Sequence, residues 1–199
     1  QPAKMQFYFT YEFIAFLYQA CSADKKILAE TYRCAMDDWE TCEQNAQIDK
    51  KSAAYAARYS YCMDQAIAAW KTIGIRPEKP LQERIYALQQ GIELLQSILE
   101  KTSNPTRYYK CIIERFVCLM WLQKLDVSHG KRLATQCFND DAKNKQRDLL
   151  NRRCDCKKNL QTFRGSIVSP EEQQLFDELV GESEKIYAVS RKKTAPLPP

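Results

Sequence analysis

Histidine is the side chain used most often for acid–base catalysis near neutral pH, and it occurs once in this chain, as His129. A catalytic base there would need a nucleophile and an orienting carboxylate, but the sequence contains no nucleophile motif such as G-x-S-x-G. A single histidine also makes most metal sites unavailable. We therefore expect His129 to lie exposed in a turn beside Gly130, and we expect no catalytic residue, metal site or cofactor.

Adjacent carboxylates occur at three places, which are Asp37-Asp38, Asp140-Asp141 and Glu171-Glu172. Neighbouring residues on a helix diverge by about 100°, so the two members of a pair do not converge on one substrate. Solvated helix faces and caps account for these pairs. The sequence thus favours a protein without enzymatic activity. The alternative is a secreted hydrolase in which acidic residues cluster with His129 in a deep pocket.

Nine cysteines in 199 residues are the strongest chemical signal. Zinc sites need close C-x2-C pairs, which the chain lacks, whereas an even number of cysteines in a secreted chain favours disulfides. Removal of a leader containing Cys21 would leave eight, enough for four disulfides. The eight candidates are Cys34, Cys42, Cys62, Cys111, Cys118, Cys137, Cys154 and Cys156.

Two cysteine pairs are equidistant from predicted turns. Cys42 and Cys62 are centred on residue 52, and Cys118 and Cys137 are centred on the turn at 127–129. Antiparallel helices joined by a short turn bring equidistant residues together, so we predict a disulfide within each pair. Each bond should contribute about 3 kcal/mol by restricting the unfolded chain.

The other four cysteines allow three pairings. A bond between Cys154 and Cys156, which are separated by one residue, would be strained. We favour two other bonds, in which Cys34 pairs with one of Cys154 and Cys156 and Cys111 pairs with the other. These bonds would link the two halves of the chain.

The first 23 residues have the pattern of a secretory signal peptide. A short apolar run at 13–17 is followed by the small residues Cys21-Ser22-Ala23, and then by the charged Asp24. The alternative is an amphipathic first helix of the folded domain. This apolar stretch is too short to span a bilayer, and no other stretch is long enough, so we expect no membrane span. We expect a secreted, extracellular protein.

Helical periodicity dominates the rest of the chain and predicts an all-α fold, a disulfide-stapled helical bundle of about six helices. The clearest pattern places Leu81, Ile85, Leu88, Ile92, Leu95 and Leu99 on one face of a helix. Breaks are predicted at 74–80, at 103–105 and at 128–130. The segment that follows this last break, to about residue 152, is predicted to be one polar helix. Ser169-Pro170 is the predicted start of the last helix, which buries Leu175, Phe176, Leu179, Val180 and Ile186.

The cysteine spacing suggests an internal repeat. The pattern Cys34-x7-Cys42-x19-Cys62 parallels Cys111-x6-Cys118-x18-Cys137. We accordingly predict two tandem three-helix units at 24–102 and 103–192, followed by a flexible proline-rich tail at 193–199.

The excess of positive charge lies in the second half of the chain. Residues 101–199 carry 19 basic and 12 acidic side chains, a net charge of +7, whereas residues 1–100 carry −2. A local basic segment is predicted to bind anions, and its residues are Lys143, Lys145, Arg147, Arg152, Arg153, Lys157, Lys158 and Arg164. The alternative is a solvated face. No aromatic residues are interleaved in this segment, and the chain is predicted to be secreted, so we expect no nucleic-acid partner.

These features predict a secreted, non-enzymatic helical binding protein that engages an extracellular protein or a sulfated glycan through the basic patch. A second possibility is a carrier of small apolar ligands in a helical cavity. The alanine-rich helix near 52–73 could line such a cavity with Tyr55, Tyr59, Tyr61 and Trp70. A cytosolic helical scaffold with reduced thiols is a further alternative.

Overall fold

The computed structural model describes residues 25–27, 29–30, 32–33, 53–144 and 146–194 of the chain. Regular structure within these ranges is helical, which confirms the all-α prediction for this part of the chain. Seven helices have both ends in the described residues: α1 (Ala53–Ile75), α2 (Leu81–Lys101), α3 (Pro105–Leu125), α4 (Val127–Lys143), α5 (Arg147–Arg153), α6 (Cys156–Ser166) and α7 (Pro170–Thr194).

Several predictions fall outside these ranges. The predicted leader at 1–23, Cys34, Cys42 and residues 195–199 of the predicted tail are not among the described residues. Residues 193 and 194, where the tail was expected to begin, are the last two of α7. No helix in the described part of the chain is both long enough and apolar enough to cross a bilayer.

Two compact units divide the chain, Gln1–Gly91 and Ile92–Pro199. The division falls within α2. The tandem three-helix units and the internal repeat stay predictions.

In the first unit, α1 packs against the first half of α2. A Cβ on Gly74 would overlap the side chain of Leu88, so this glycine permits close helix packing. Arg84 Nε also donates to the Gly74 carbonyl oxygen at 3.0 Å. Trp70 and Tyr86 meet edge to face, with ring centroids 5.8 Å apart. Gly74 is thus a packing residue inside α1, and the predicted break begins two residues later.

In the second unit, the predicted stripe of α2 is buried at Ile92, Leu95 and Leu99. Helix α3 follows after a short loop. Asn104 caps it by accepting the Arg107 N–H at 3.1 Å, and Pro105 occupies its first turn. Side chains on several faces of α3 are buried, as the nearly continuous apolar sequence predicts.

A single residue, Asp126, separates α3 from α4. Its carboxylate accepts the His129 N–H at 3.0 Å and caps α4, while its own N–H donates to the Leu122 carbonyl oxygen at 2.8 Å. The turn predicted at 128–130 was therefore wrong, because these residues form the first turn of α4. Gly130 marks close packing there, since a Cβ would lie 2.5 Å from the Cα of Gln123.

The polar helix predicted to reach residue 152 was also wrong, because α4 ends at Lys143 with Asn144 as its C-cap. Helices α5 and α6 follow, separated by Cys154 and Asp155. Asp155 has φ 46°, the left-handed conformation that ends one helix and redirects the chain into the next. Helix α7 begins at Pro170 as predicted, and Ser169 Oγ accepts the Glu172 N–H at 3.4 Å. Its predicted core positions Phe176 and Leu179 are buried, while Leu175, Val180 and Ile186 are half-buried.

Candidate functional site

A cavity of about 520 Å³ lies within the second unit, lined by residues of α3, α5, α6 and α7. We call it the tyrosine cavity, because Tyr108 and Tyr187 both line it. Its apolar walls are Ile112, Phe116, Leu160 and Val180. A cavity of this size falls within the range of small-ligand sites in proteins, about 300–1,000 Å³.

A buried ion pair connects to the cavity through Tyr187. Arg115 Nη1 donates to Asp141 Oδ1 at 2.9 Å, Arg115 Nη2 donates to the second carboxylate oxygen, and Tyr187 Oη donates to Asp141 Oδ2 at 2.7 Å. Burial raises the pKa of Tyr187, and the negative charge of Asp141 raises it further. Tyr187 therefore stays neutral and acts as a hydrogen-bond donor that fixes one wall of the cavity.

Burial disfavours the charge on Arg115 and acts to lower its pKa, but the attraction of Asp141 and the hydrogen bonds between them leave the pKa above its ordinary value. Gln96 of α2 also accepts a hydrogen bond from Arg115 Nη1. The pair therefore links α2, α3, α4 and α7 in the interior of the unit. The prediction that the Asp140-Asp141 pair lies on a solvated face was wrong for Asp141, which is buried.

Arg147 is a second buried cation beside the cavity. Its guanidinium carbon lies 3.8 Å from the centre of the Tyr187 ring, and its Nη2 donates to Asp148 Oδ1 at 2.9 Å. Nε and Nη1 have no hydrogen-bond partner among the described residues. Arg147 thus packs against the ring of Tyr187, which forms part of the cavity wall.

Charged side chains of both signs surround the mouth of the cavity. The cations are Arg152, Lys157 and Arg191, and the anions are Asp148, Asp155 and Glu184. Arg152 is exposed, and its Nε donates to the Asp148 carbonyl oxygen at 3.2 Å. Lys157 is exposed. Arg152 and Lys157 can therefore reach an anionic group at the mouth.

The Cys156 thiol lies in the wall of the cavity. Burial, and then the adjacent Cys154, raise the pKa of Cys156 to about 12. Burial also raises the pKa of Cys154. A thiol with so high a pKa is protonated at neutral pH and is a poor nucleophile, so this cavity is not poised for cysteine catalysis.

No disulfide joins any two of the described cysteines, so the predicted bond between Cys118 and Cys137 is not confirmed. Phe116 of α3 faces Phe138 of α4, with ring centroids 5.6 Å apart. Cys118 is two positions beyond Phe116 and therefore lies about 200° around the helix from that contact. Two residues that are equidistant from a turn lie at the same height along antiparallel helices. A disulfide also requires that both side chains lie on the facing sides of their helices.

The other predicted disulfides are not confirmed either. The partners predicted for Cys62 and for one member of the 154–156 pair, Cys42 and Cys34, lie outside the described ranges. Cys62, Cys111 and Cys156 are buried, and Cys154 is half-buried. No bond joins Cys111 to Cys154 or Cys156.

The predicted anion-binding residues separate into different environments. Arg147 is buried, Arg164 forms a two-bond ion pair with Asp177 at 2.7 and 2.8 Å, and Lys143 lies 3.6 Å from Asp140. Lys145 lies outside the described residues. Four exposed members flank the start of α6, at the end of α5 and in the first turn of α6: Arg152, Arg153, Lys157 and Lys158. Arg152 and Lys157 line the cavity, whereas Arg153 and Lys158 do not.

The alanine-rich segment, which forms α1, was predicted to line a possible ligand cavity. No residue of α1 lines the tyrosine cavity. Its two tyrosines, Tyr108 on α3 and Tyr187 on α7, lie 79 positions apart, and no local pattern connects them. In the described part of the chain, no group of three His, Cys, Asp or Glu side chains is arranged to hold a metal ion. Comparison with protein-family models, with curated proteins and with solved structures gives no match for this chain.

Proposed function

We propose that this chain is a secreted, non-enzymatic binding protein that holds a small ligand with an apolar body and an anionic end in the tyrosine cavity. The observation that carries this proposal is the cavity of about 520 Å³, which has apolar walls and exposed cations at its mouth. Secretion rests on the leader pattern at 1–23.

The walls support an apolar ligand body. Ile112 and Phe116 are almost fully buried, and Leu160 and Val180 are half-buried at the cavity surface. A ligand that covers Leu160 and Val180 would remove their exposed apolar surface from water, which contributes about 25 cal/mol for each Å² buried. Tyr108 offers a hydroxyl group for orientation, whereas the Tyr187 hydroxyl already donates to Asp141, and both hydroxyls are kept neutral by a raised pKa.

The mouth supports an anionic end. Arg152 and Lys157 are exposed and close to the cavity, so a carboxylate or sulfate there would meet a guanidinium and an ammonium group. The anions at the same mouth disfavour a ligand with several negative charges, since like charges repel. A single anionic group therefore matches this arrangement best.

The first experiment is native mass spectrometry of the protein purified without detergent. The proposal expects a population heavier than the apoprotein by the mass of a small copurified molecule, released on denaturation. A ligand that dissociates during purification would leave only the apoprotein, so the probe titration described in the Discussion decides the proposal independently.

The alternative function, binding of a sulfated glycan through the basic patch, is supported by the four exposed cations near the start of α6. Two matched double variants separate the alternatives. Arg152→Gln with Lys157→Gln alters cations that line the cavity, and Arg153→Gln with Lys158→Gln alters neighbouring cations that do not.

If the cavity takes a small anionic ligand, only the first double variant should weaken binding of that ligand. If the exposed face binds a polyanion, both double variants should elute earlier from a heparin column, because the interaction depends on summed charge and is screened by salt. Weaker heparin binding in both variants, together with undiminished binding of the small ligand in the first, would favour the glycan partner.

A further inference from the structure

A second pocket, of about 420 Å³, lies on the other side of α7 and shares no lining residue with the tyrosine cavity. We call it the α4–α7 pocket, because most of its lining comes from these two helices. Its apolar surface is provided by Ala134 and Leu179, both almost fully buried. Its remaining walls are polar, which makes it chemically different from the tyrosine cavity.

Among the polar residues that line this pocket, Gln123 is the buried one, with 4% of its surface exposed. Its amide is not among the fully buried side-chain groups that lack a hydrogen-bond partner in the described part of the chain. The amide therefore keeps access to a molecule that enters the pocket. A ligand there could hydrogen-bond to it, since an amide both donates and accepts.

Charges of both signs border the pocket. Lys131 lies on α4 and Lys185 on α7, and each lines the pocket together with Glu178 and Glu182 of α7. In the part of the chain that the structure describes, Lys131, Lys185 and Glu182 form no ion pair with one another. Gln174 Nε2 donates to Glu178 Oε1 at 3.2 Å. Ammonium and carboxylate groups thus surround one space without neutralising each other.

We propose that the α4–α7 pocket binds a small zwitterion of the amino-acid class. The ligand carboxylate pairs with Lys131 or Lys185, and its ammonium group pairs with Glu182 or Glu178. The rest of the molecule lies over Leu179 and hydrogen-bonds to the Gln123 amide. This site is independent of the proposed function, because the two cavities have no residue in common.

Gly181 gives a direct way to close the pocket. It lies in the middle of α7 and lines the pocket, and a Cβ built on it meets nothing within 4 Å. A larger side chain at 181 would extend into empty space without forcing the helices apart. Gly165 of α6 is a matched control, because its Cβ also meets nothing within 4 Å and it does not line this pocket.

The test is saturation-transfer NMR on the intact protein with each of the free standard L-amino acids at millimolar concentration. We expect transfer to at least one of them. For that amino acid, N-acetylation or conversion of its α-carboxylate to an amide should each weaken binding by about tenfold or more, because each removes one charge pair. Gly181→Leu should abolish the signal, whereas Gly165→Leu should leave it unchanged.

A further variant tests the contribution of the Gln123 amide to ligand binding. Gln123→Leu replaces the amide with an apolar group of similar size, so the fold should be retained while the transfer signal falls. The proposal is overturned if no amino acid shows transfer. It is also overturned if Gly181→Leu binds as well as the wild type, or if the neutralised analogues bind as well as the parent amino acid.

Discussion

Arg115 of α3 and Asp141 of α4 form a two-bond ion pair in the interior of the second unit, with side-chain exposures of 0% and 7%. Tyr187 of α7 donates to the same carboxylate. Because Asp141 receives bonds from α3 and α7 while lying on α4, it connects three helices at one point. The same bonds hold Tyr187 in the wall of the tyrosine cavity.

Asp141→Ala should destabilise the protein by about 3–5 kcal/mol, because it leaves the guanidinium of Arg115 buried without its partner. Urea denaturation followed by circular dichroism measures this change. Asp140→Ala is the matched control, since the neighbouring Asp140 side chain is 41% exposed and lies 3.6 Å from the exposed Lys143. The control should cost no more than about 1 kcal/mol. An equal decrease in the free energy of unfolding in the two variants would mean that the buried ion pair contributes no more to stability than a surface ion pair does.

Gly130→Ala should destabilise the protein by about 1–3 kcal/mol, because its Cβ would lie 2.5 Å from the Gln123 Cα and would force α3 and α4 apart. Gly181→Ala is the control, because alanine fits there without contact and favours the helix by up to about 1 kcal/mol. The melting temperature measured by thermal unfolding should therefore fall for Gly130→Ala and rise for Gly181→Ala. A neutral or stabilising Gly130→Ala would contradict the close approach of the two helices.

Local rules explain most of the helices. The stripe on α2 follows from apolar spacing, and the starts of α3 and α7 follow from a capping side chain and a proline in the first turn. The α3–α4 junction was mispredicted because Gly130 suits a turn and a close helix contact equally well. Only the structure distinguishes these uses, since the contact with Gln123 depends on packing between two helices.

The candidate site could not be derived from local patterns. Asp141 looks like one half of a solvated carboxylate pair until α3 supplies Arg115, and Arg147 looks like part of a basic run until it stacks on Tyr187. Both residues are buried by partners that lie far away in the sequence. Charge composition correctly locates an excess of cations near α6, but it does not distinguish the two that line the cavity from their neighbours.

Replacement of Cys156 should alter stability at alkaline pH. Burial, with a smaller effect from Cys154, raises the pKa of Cys156 from the ordinary 9.0 to about 12. Between these values the unfolded chain releases the thiol proton and the folded chain retains it. The contribution of this thiol to stability is therefore complete below pH 9.0 and is lost as the pH rises toward about 12.

Cys156→Ala should thus lose stability less steeply above pH 9.0 than the wild type, by up to about 1.4 kcal/mol per pH unit. Urea denaturation of both proteins at a series of alkaline pH values measures the difference. Tyr187 contributes equally to both curves, and the contribution of Tyr108 changes little, because burial and Asp141 raise the pKa of Tyr108 more than Cys156 does. Parallel curves would contradict a titrating thiol at this position and would favour the disulfide predicted from the sequence.

The proposed ligand of the tyrosine cavity has an apolar body and an anionic end, as decanoate does. Isothermal titration calorimetry with decanoate tests this proposal, with decanol as the uncharged analogue and with two valine variants on α7. Val180 lines the cavity, whereas Val189 is 55% exposed and does not, so Val180→Phe fills the cavity and Val189→Phe is its control.

We expect one decanoate bound per chain, with a negative heat-capacity change from burial of apolar surface and tighter binding than decanol. Val180→Phe should weaken decanoate binding by about tenfold or more, which corresponds to about 1.4 kcal/mol, and Val189→Phe should not change it. Absence of decanoate binding to the wild type, or equal affinity of the wild type and Val180→Phe, would show that the tyrosine cavity does not bind such a ligand.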